Sequence, residues 1–162
     1  MAEEDQQFEE VLRAYQDKVF RLCCAMLGDR SLAEETAQEI FVRIWKGLPR
    51  YRGDASLSTW IYAIARNACL TARKKRAASR EQQLDIADIR TPPASPDRTP
   101  DIMRLVRHLP DGQREAVLLF HMEEKSYDEV ALMLGVPVGT VKTWLHRARR
   151  SMAESLMKEN DS

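Results

Sequence analysis

The chain has 162 residues and no formal net charge, with 44% hydrophobic and 31% charged residues, the proportions of a soluble globular protein built as one ordinary domain or two small ones. Aromatic residues make up 7% and there are 6 glycines, which argues against an all-β fold. No apolar run is long enough to insert into a membrane, and the acidic opening MAEEDQQFEEVL is unlike a secretory signal, so the expected location is cytoplasmic.

The first helix is predicted from about Asp5 to Leu27, where Phe8, Val11, Leu12, Tyr15, Val19, Cys23 and Met26 recur at helical spacing and Gly28 supplies a stop. Ser31-Leu32-Ala33-Glu34 reads as a capping box opening the second helix. Ala33, Ala37, Ile40, Phe41, Ile44 and Leu48 share one face of it, and Gly47 and Pro49 end it. Opposite that face lie Gln38, Val42 and, at the border, Trp45; an outward Val beside a Trp suggests a protein partner, although scattered exposed apolar residues are common. After the loop PRYRGDAS a third helix is predicted from near Ser58 to Arg76, with Ile61, Ile64, Ala68 and Ala72 buried and Thr59, Tyr62, Arg66 and Arg73 on the other side. Residues 78–100 break the pattern: TPPASPDRTP holds four of the 7 prolines, and proline removes backbone donors and restricts its predecessor, so an extended linker is expected.

A second domain follows. DIMRLVRHL is a short helix stopped by Pro110, and Asp111 is placed to cap the next, whose apolar residues are Val117, Leu118 and Phe120. Ser126-Tyr127-Asp128-Glu129 is a further capping box, opening SYDEVALML, and Gly135 ends that helix. The last helix is predicted from Gly139 or Thr140 toward Lys158. Capped helix, glycine turn and amphipathic helix together make a helix-turn-helix candidate. The fold class is therefore all-α: two small helical domains joined by a Pro-rich linker, with boundaries 1–77, 78–100 and 101–162.

Charge is uneven along the chain. Residues 50–80 carry eight basic side chains and one acidic, and residues 137–152 carry four basic and none acidic, while the rest is net acidic. Two basic segments in a neutral chain point to two contacts with a polyanion. In the last helix Val141, Leu145, Ala148, Met152 and Leu156 share one face, and Lys142, Thr143, His146, Arg147 and Arg150 the other. Side chains near such a helix start reach base edges in the major groove, and Thr140 fits an N-cap able to donate to phosphate. Solvated helix faces usually mix signs, so the absence of acids favours DNA. In the other segment the charges are interleaved with Tyr51, Trp60 and Tyr62, rings on which unpaired bases can stack while Arg52, Arg66 and Arg73 meet phosphate. Asn67 adds an amide for a base edge. Core packing is an equal reading for Trp60, and the run Arg73–Arg76 alone is weak evidence, because a basic helix end is favourable with the helix dipole.

Cys23, Cys24 and Cys69 make no CxxC pair and are odd in number, as expected of reduced thiols in a core rather than of a redox sensor. His108, His121 and His146 lack zinc spacing, and neither a phosphate-binding loop nor a nucleophile elbow is present. No enzymatic activity, metal or cofactor is expected.

The pieces AEETAQEIFVRIWKGL, YRGDASLSTWIYAIARN, LP followed by QREAVLL, and SYDEVALMLGVPVGTVKTWLHRAR stand in an order that resembles an extracytoplasmic-function (ECF, group IV) sigma factor of the sigma-70 family. The resemblance covers nearly the whole chain, residues 8–76 as region 2 and 103–157 as region 4. It implies a promoter-specificity subunit of RNA polymerase. Gln38, Glu39, Val42, Arg43 and Trp45 would dock on the β′ coiled coil of the core enzyme, and region 4 would meet the β flap. Tyr51, Arg52, Trp60, Tyr62, Arg66, Asn67 and Arg73 would open and read the −10 element, with Asn67 holding an extruded base beside Tyr51 and Tyr62. Thr140, Lys142, Thr143, His146, Arg147 and Arg150 would read the −35 duplex. An anti-sigma factor is a further implied partner. Trp144 stands where many relatives have Arg; it either packs or reads bases. An ordinary helix-turn-helix regulator with an N-terminal effector or dimerisation domain explains 137–152 but not the aromatic-basic segment 50–80, and a pure interaction protein such as a sigma mimic would not need both basic segments.

Overall fold

A computed structural model describes residues 2–82 and 101–161; every regular element among them is helical. The chain divides into two compact units, Met1–Ser95 and Pro96–Ser162.

In the first unit α1 spans Ala2–Leu27, α2 Arg30–Gly47 and α3 Leu57–Gln82, with a 3-10 turn at Leu48–Arg50 between the last two. Helix α1 starts three residues earlier than its apolar pattern predicts because Glu3, Glu4 and Asp5 fill its first turn, where negative charge complements the helix dipole. Gly28 follows at φ +68, the left-handed conformation that glycine adopts without steric cost. The predicted Ser31 capping box is not the start of α2. Asp29 is the N-cap, its Oδ1 accepting from the Leu32 amide at 3.1 Å, and Ser31 lies inside the first turn. Arg76 locks this corner from α3, donating to the Leu27 carbonyl at 3.3 Å and pairing with Asp29 at 3.6 Å.

Helix α3 opens on Ser56, whose Oγ accepts from the Thr59 amide at 3.1 Å. It continues to Gln82, so the first residues assigned to a linker are helical. Ala77, Ala78 and Arg80 are good helix formers, and the prolines begin only at Pro92. The remainder of the predicted linker, 83–100, lies outside the described residues. The core of the unit joins Val19 and Cys23 from α1, Ile40 and Ile44 from α2, and Ile61, Tyr62, Ala65 and Cys69 from α3. Cys69 Sγ lies 3.6 Å from Cys23 Sγ. That contact, with burial, pushes the Cys23 thiol above its ordinary titration range, so it stays a protonated core group.

The second unit contains α4 (Asp101–Arg107), α5 (Asp111–Val117) running into a π turn at Leu118–Met122, α6 (Tyr127–Leu134) and α7 (Val138–Asn160). Asp111 does not cap α5. Pro110 holds the N-cap position and Asp111 is the first helical residue, 3.6 Å from Arg114. Arg114 in turn donates to the carbonyls of Arg107 (2.7 Å) and Leu109 (2.9 Å), closing the end of α4. The Ser126–Glu129 capping box is present, and Gly135 ends α6 at φ +67. Helix α7 begins before the predicted cap: Pro137, with extended backbone, is the N-cap, and Thr140 lies inside the first turn. Val106, Ala116, Leu118, Leu119, Val130, Val141, Leu145 and Ala148 form the core.

Candidate nucleic-acid interface

Helix α7 is anchored through Val141, Leu145 and Ala148, all at most 1% exposed. Those anchors leave Lys142, Thr143, His146, Arg147 and Arg150 exposed on the outer face, with Thr140 half-buried at its edge. The Thr143 hydroxyl donates to the Gly139 carbonyl at 3.0 Å. Arg150 pairs loosely with Glu154 at 3.9 Å, an acid just beyond the acid-free stretch. Lys142 Nζ lies over the Tyr127 ring, 5.7 Å from its centroid. Trp144 is half-buried against α5: a Cβ on Gly112 would stand 2.9 Å from its ring carbons. Its indole is thus a packing group seated on a glycine, not one held out beside the basic residues.

Next to this face, His121 lies edge-on to Phe120, ring centroids 4.8 Å apart. Partial burial, and then the charge of Arg149, hold its pKa below the ordinary histidine value of 6.5.

The aromatic-basic segment of the first unit is arranged differently. The Tyr51 hydroxyl donates to the Ala55 carbonyl, folding the 51–56 loop on itself, and its ring leans on Trp60 at 5.2 Å. Trp60 is half-buried, and a Cβ on Gly47 would stand 2.9 Å from it. Tyr62 is not on the outer face. It is 1% exposed and meets Tyr15 of α1 edge-on at 6.1 Å. Thr59 is buried too. Both were placed opposite the apolar stripe, but α3 packs on α1 and α2 together, and two neighbours widen the buried arc beyond one stripe. Tyr62 is therefore a core residue and does not stand beside Asn67 as a base platform.

Arg52 and Asn67 are exposed, and Arg66 and Arg73 half-buried. The Arg66 guanidinium lies 3.5 Å from the Asn67 side-chain oxygen. The Arg73–Arg76 run is not uniformly free, since Arg76 closes the α1–α2 corner.

On α2, Gln38, Glu39, Val42, Arg43 and Trp45 are all exposed, Val42 at 49% and Trp45 at 51%. Arg43 and Glu39 pair at 2.7 Å. Val42 and Trp45 border an apolar groove of about 700 Å³ shared with Phe8, Leu12 and Phe20 of α1. The α1 half of this groove was not anticipated. Its signal was available: Phe8, Leu12, Gln16 and Phe20 follow at intervals of four, a row inclined to the helix axis that outgrows one core stripe.

Among the described residues no group of three or more His, Cys, Asp or Glu is placed to hold a metal ion, and no helix is long and apolar enough to cross a membrane.

Residues 11–79 match the family described as Sigma-70 region 2, and residues 100–152 the family described as Sigma-70, region 4. Over 92% of its length the chain is 32% identical to the ECF RNA polymerase sigma factor SigW of Bacillus subtilis, covering 88% of that protein. It is 29% identical to the RNA polymerase sigma-H factor of Pseudomonas aeruginosa, covering 92% of this chain and 86% of the other. Among solved structures, the sigma factor RpoE in complex with the anti-sigma factor NepR from Bartonella quintana superposes with a TM-score of 0.80 at 22% identity, over 94% of this chain and 98% of that one. CnrH in complex with the cytosolic domain of CnrY gives 0.71 at 21% identity, over 98% and 91%. At those identities the two structures speak for the fold.

Proposed function

The chain belongs to the extracytoplasmic-function group of the sigma-70 family, factors of promoter-specific transcription initiation that bind core RNA polymerase and promoter DNA, and we propose that its two units divide the promoter between them. Residues 1–77 bind the core enzyme and read and open the −10 element. Residues 101–162 read the −35 duplex, and 78–100 connect the two. The observation that carries this reading is the outer face of α7: a row of exposed basic and hydrogen-bonding side chains held on a buried apolar spine.

The roles follow from the chemistry of each surface. Lys142, Thr143, His146 and Arg147 lie where a recognition helix meets base edges, while Arg150, further along α7, serves phosphate. Thr140, inside the first turn, is close enough to the helix start to contact backbone oxygens. In the first unit Asn67 presents the amide that captures an extruded −10 base, Arg52, Arg66 and Arg73 supply positive charge, and the Tyr51–Trp60 pair walls the site. The exposed face of α2, Gln38, Glu39, Val42, Arg43 and Trp45, docks on the β′ coiled coil, and the second unit on the β flap. The chain is not an enzyme: it lends promoter recognition to the polymerase, in the cytoplasm. The structure of RpoE with the anti-sigma factor NepR supports an anti-sigma factor as a partner here as well.

Opening a duplex costs on the order of 1.4 kcal/mol per base-pair step, and stacking returns about 1–3 kcal/mol per captured base. One small pocket traps an opened base but does not hold several pairs apart, so opening needs the core enzyme. Permanganate reactivity of promoter thymines tests this. Reactivity is expected with holoenzyme, reduced by Asn67→Ala, and absent with the free chain. Opening by the free chain refutes the division of labour, and full opening by Asn67→Ala holoenzyme removes Asn67 from the site.

A further inference from the structure

Beyond the residues that touch DNA, the geometry points to Tyr127 as a positioning residue for Lys142: its ring, stacked on Phe120, holds the lysine ammonium in register for one −35 base pair. This rests on the reading of Lys142 as a base-contacting residue.

Three observations meet at this ring. Lys142 Nζ lies 5.7 Å from the Tyr127 centroid, inside the range at which a cation is attracted to an aromatic face. The Phe120 ring is parallel to Tyr127 within 3°, centroids 4.7 Å apart, so Tyr127 has little room to rotate away. The backbone carrying Tyr127 is fixed independently, because it is the first residue of α6, directly after the Ser126–Glu129 capping box. Phe120 reaches it from the π turn at Leu118–Met122. Such turns change the direction of side chains along a helix and occur often at functional positions.

A lysine is a flexible four-carbon stem ending in a strongly hydrated charge. An exposed lysine on a recognition helix has several phosphates and base edges within reach and loses rotamer freedom on choosing one. A ring that already confines the ammonium lowers that loss and removes competing poses, which favours one base over nearby phosphate. An exposed contact of this type is expected to change discrimination about two- to fivefold.

The test measures the affinity of reconstituted holoenzyme for promoters carrying each single −35 substitution. Lys142→Ala is expected to erase discrimination at one base pair. Tyr127→Leu is expected to lower discrimination at that same pair about two- to fivefold, Tyr127→Phe to retain it, and Tyr127→Leu to add nothing once Lys142 is Ala. A second readout needs no variant: in the wild-type chain the Lys142 Cε protons should show an upfield ring-current shift in the NMR spectrum. Absence of that shift, equal effects of Tyr127→Leu at every position, or additivity with Lys142→Ala overturns the inference alone. If Lys142→Ala weakens all promoters equally, the base-reading role of Lys142 falls first and the positioning role with it.

Discussion

Each unit seats a tryptophan on a glycine, Trp60 on Gly47 and Trp144 on Gly112, yet the two use their remaining polar and aromatic residues in different ways. In the second unit the indole fills a gap between helices, and Lys142, Thr143, His146 and Arg147 stand clear of the core on one regular face. In the first unit Asn67 is exposed while the rings of the aromatic-basic segment are half-buried or buried: Tyr62 lies in the core, and Tyr51 leans on Trp60. The difference suits the two proposed ligands. A closed duplex is a regular object that a preformed helix face matches directly. A base taken out of its stack is irregular and costly to hold, and its capture calls for one exposed hydrogen-bonding group on a scaffold that stays fixed while the DNA deforms. On the proposed reading the second unit is a reader on a small core, and the first a core with a reader at its edge.

The most severe way to break this contrast is to treat Tyr62 as the surface residue that its sequence neighbours suggest. With Tyr62 buried against Tyr15, Tyr62→Ala leaves a cavity between α1 and α3 and should destabilise the first unit by about 3–5 kcal/mol. That is a large share of the stability of a small domain. Urea denaturation followed by helical circular dichroism should show the first unit's transition at markedly lower denaturant, with the second unit's transition in place. Unchanged stability combined with a defect confined to promoter opening would return Tyr62 to the DNA-facing surface.

The glycine seat sharpens the comparison next. A side chain at Gly112 meets the Trp144 ring at 2.9 Å. Gly112→Val should therefore force the indole outward and cost about 1–3 kcal/mol as an overpacked site. Trp144→Leu in the same chain should recover most of the loss by making room. Thermal melting of the single and double variants measures both. Additive losses would mean that the two residues do not share one space.

These two sites also mark what the sequence could and could not disclose. The α7 face was legible because its buried residues, Val141, Leu145 and Ala148, keep to one narrow stripe although α4, α5 and α6 all contact the helix, and period 3.6 then identifies the residues outside it. Both glycine turns and the Ser126–Glu129 box were legible because their chemistry is local. Tyr62 was not, since the buried arc of α3 takes in Thr59 and Tyr62 beside Ile61, Ala65, Ala68 and Cys69, a width set by how α1 and α2 close on the helix rather than by its own periodicity. The starts of α2 and α7 shifted for a related reason. Ser31 and Thr140 are acceptable caps, but Asp29, tied to Arg76 of a distant helix, and the extended Pro137 come first along the chain. The groove half formed by Phe8, Leu12 and Phe20 was present as a pattern and was absorbed into the core reading of α1.

A smaller effect separates base reading from phosphate contact on the α7 face. Arg147 is exposed, one residue past His146 and away from the buried spine. If it meets a base edge, Arg147→Ala should cost about 1–3 kcal/mol on the cognate −35 duplex and relax preference at one position. Titrations against cognate and singly substituted duplexes, at fixed salt, make the distinction. A uniform loss on all sequences with a shallower salt dependence would assign Arg147 to phosphate.

The smallest expected effect concerns acid sensitivity, and it too divides the units, because all three histidines lie in the second. His121 has its pKa lowered from 6.5, first by partial burial and then by Arg149. The neutral form is therefore favoured in the folded unit. As pH falls through about 6.5 the unfolded chain takes up the proton before the folded one, so the folded unit loses stability over that window until the folded pKa is passed. The sign is fixed: stability contributed by neutral His121 is present above the unfolded pKa and declines below it. Because the ring is largely exposed, solvent screens the effect, and the slope should be shallow. His121→Gln should flatten it, and Arg149→Gln should flatten it less, since Arg149 is the lesser cause. An NMR titration of the His121 ring protons in the full chain should give a midpoint below 6.5 in the wild type. It should move upward, without reaching the ordinary value, in Arg149→Gln. A wild-type midpoint at the ordinary value would abolish the predicted slope and leave the two units alike in this pH range as far as His121 is concerned, and a midpoint above it would reverse the slope.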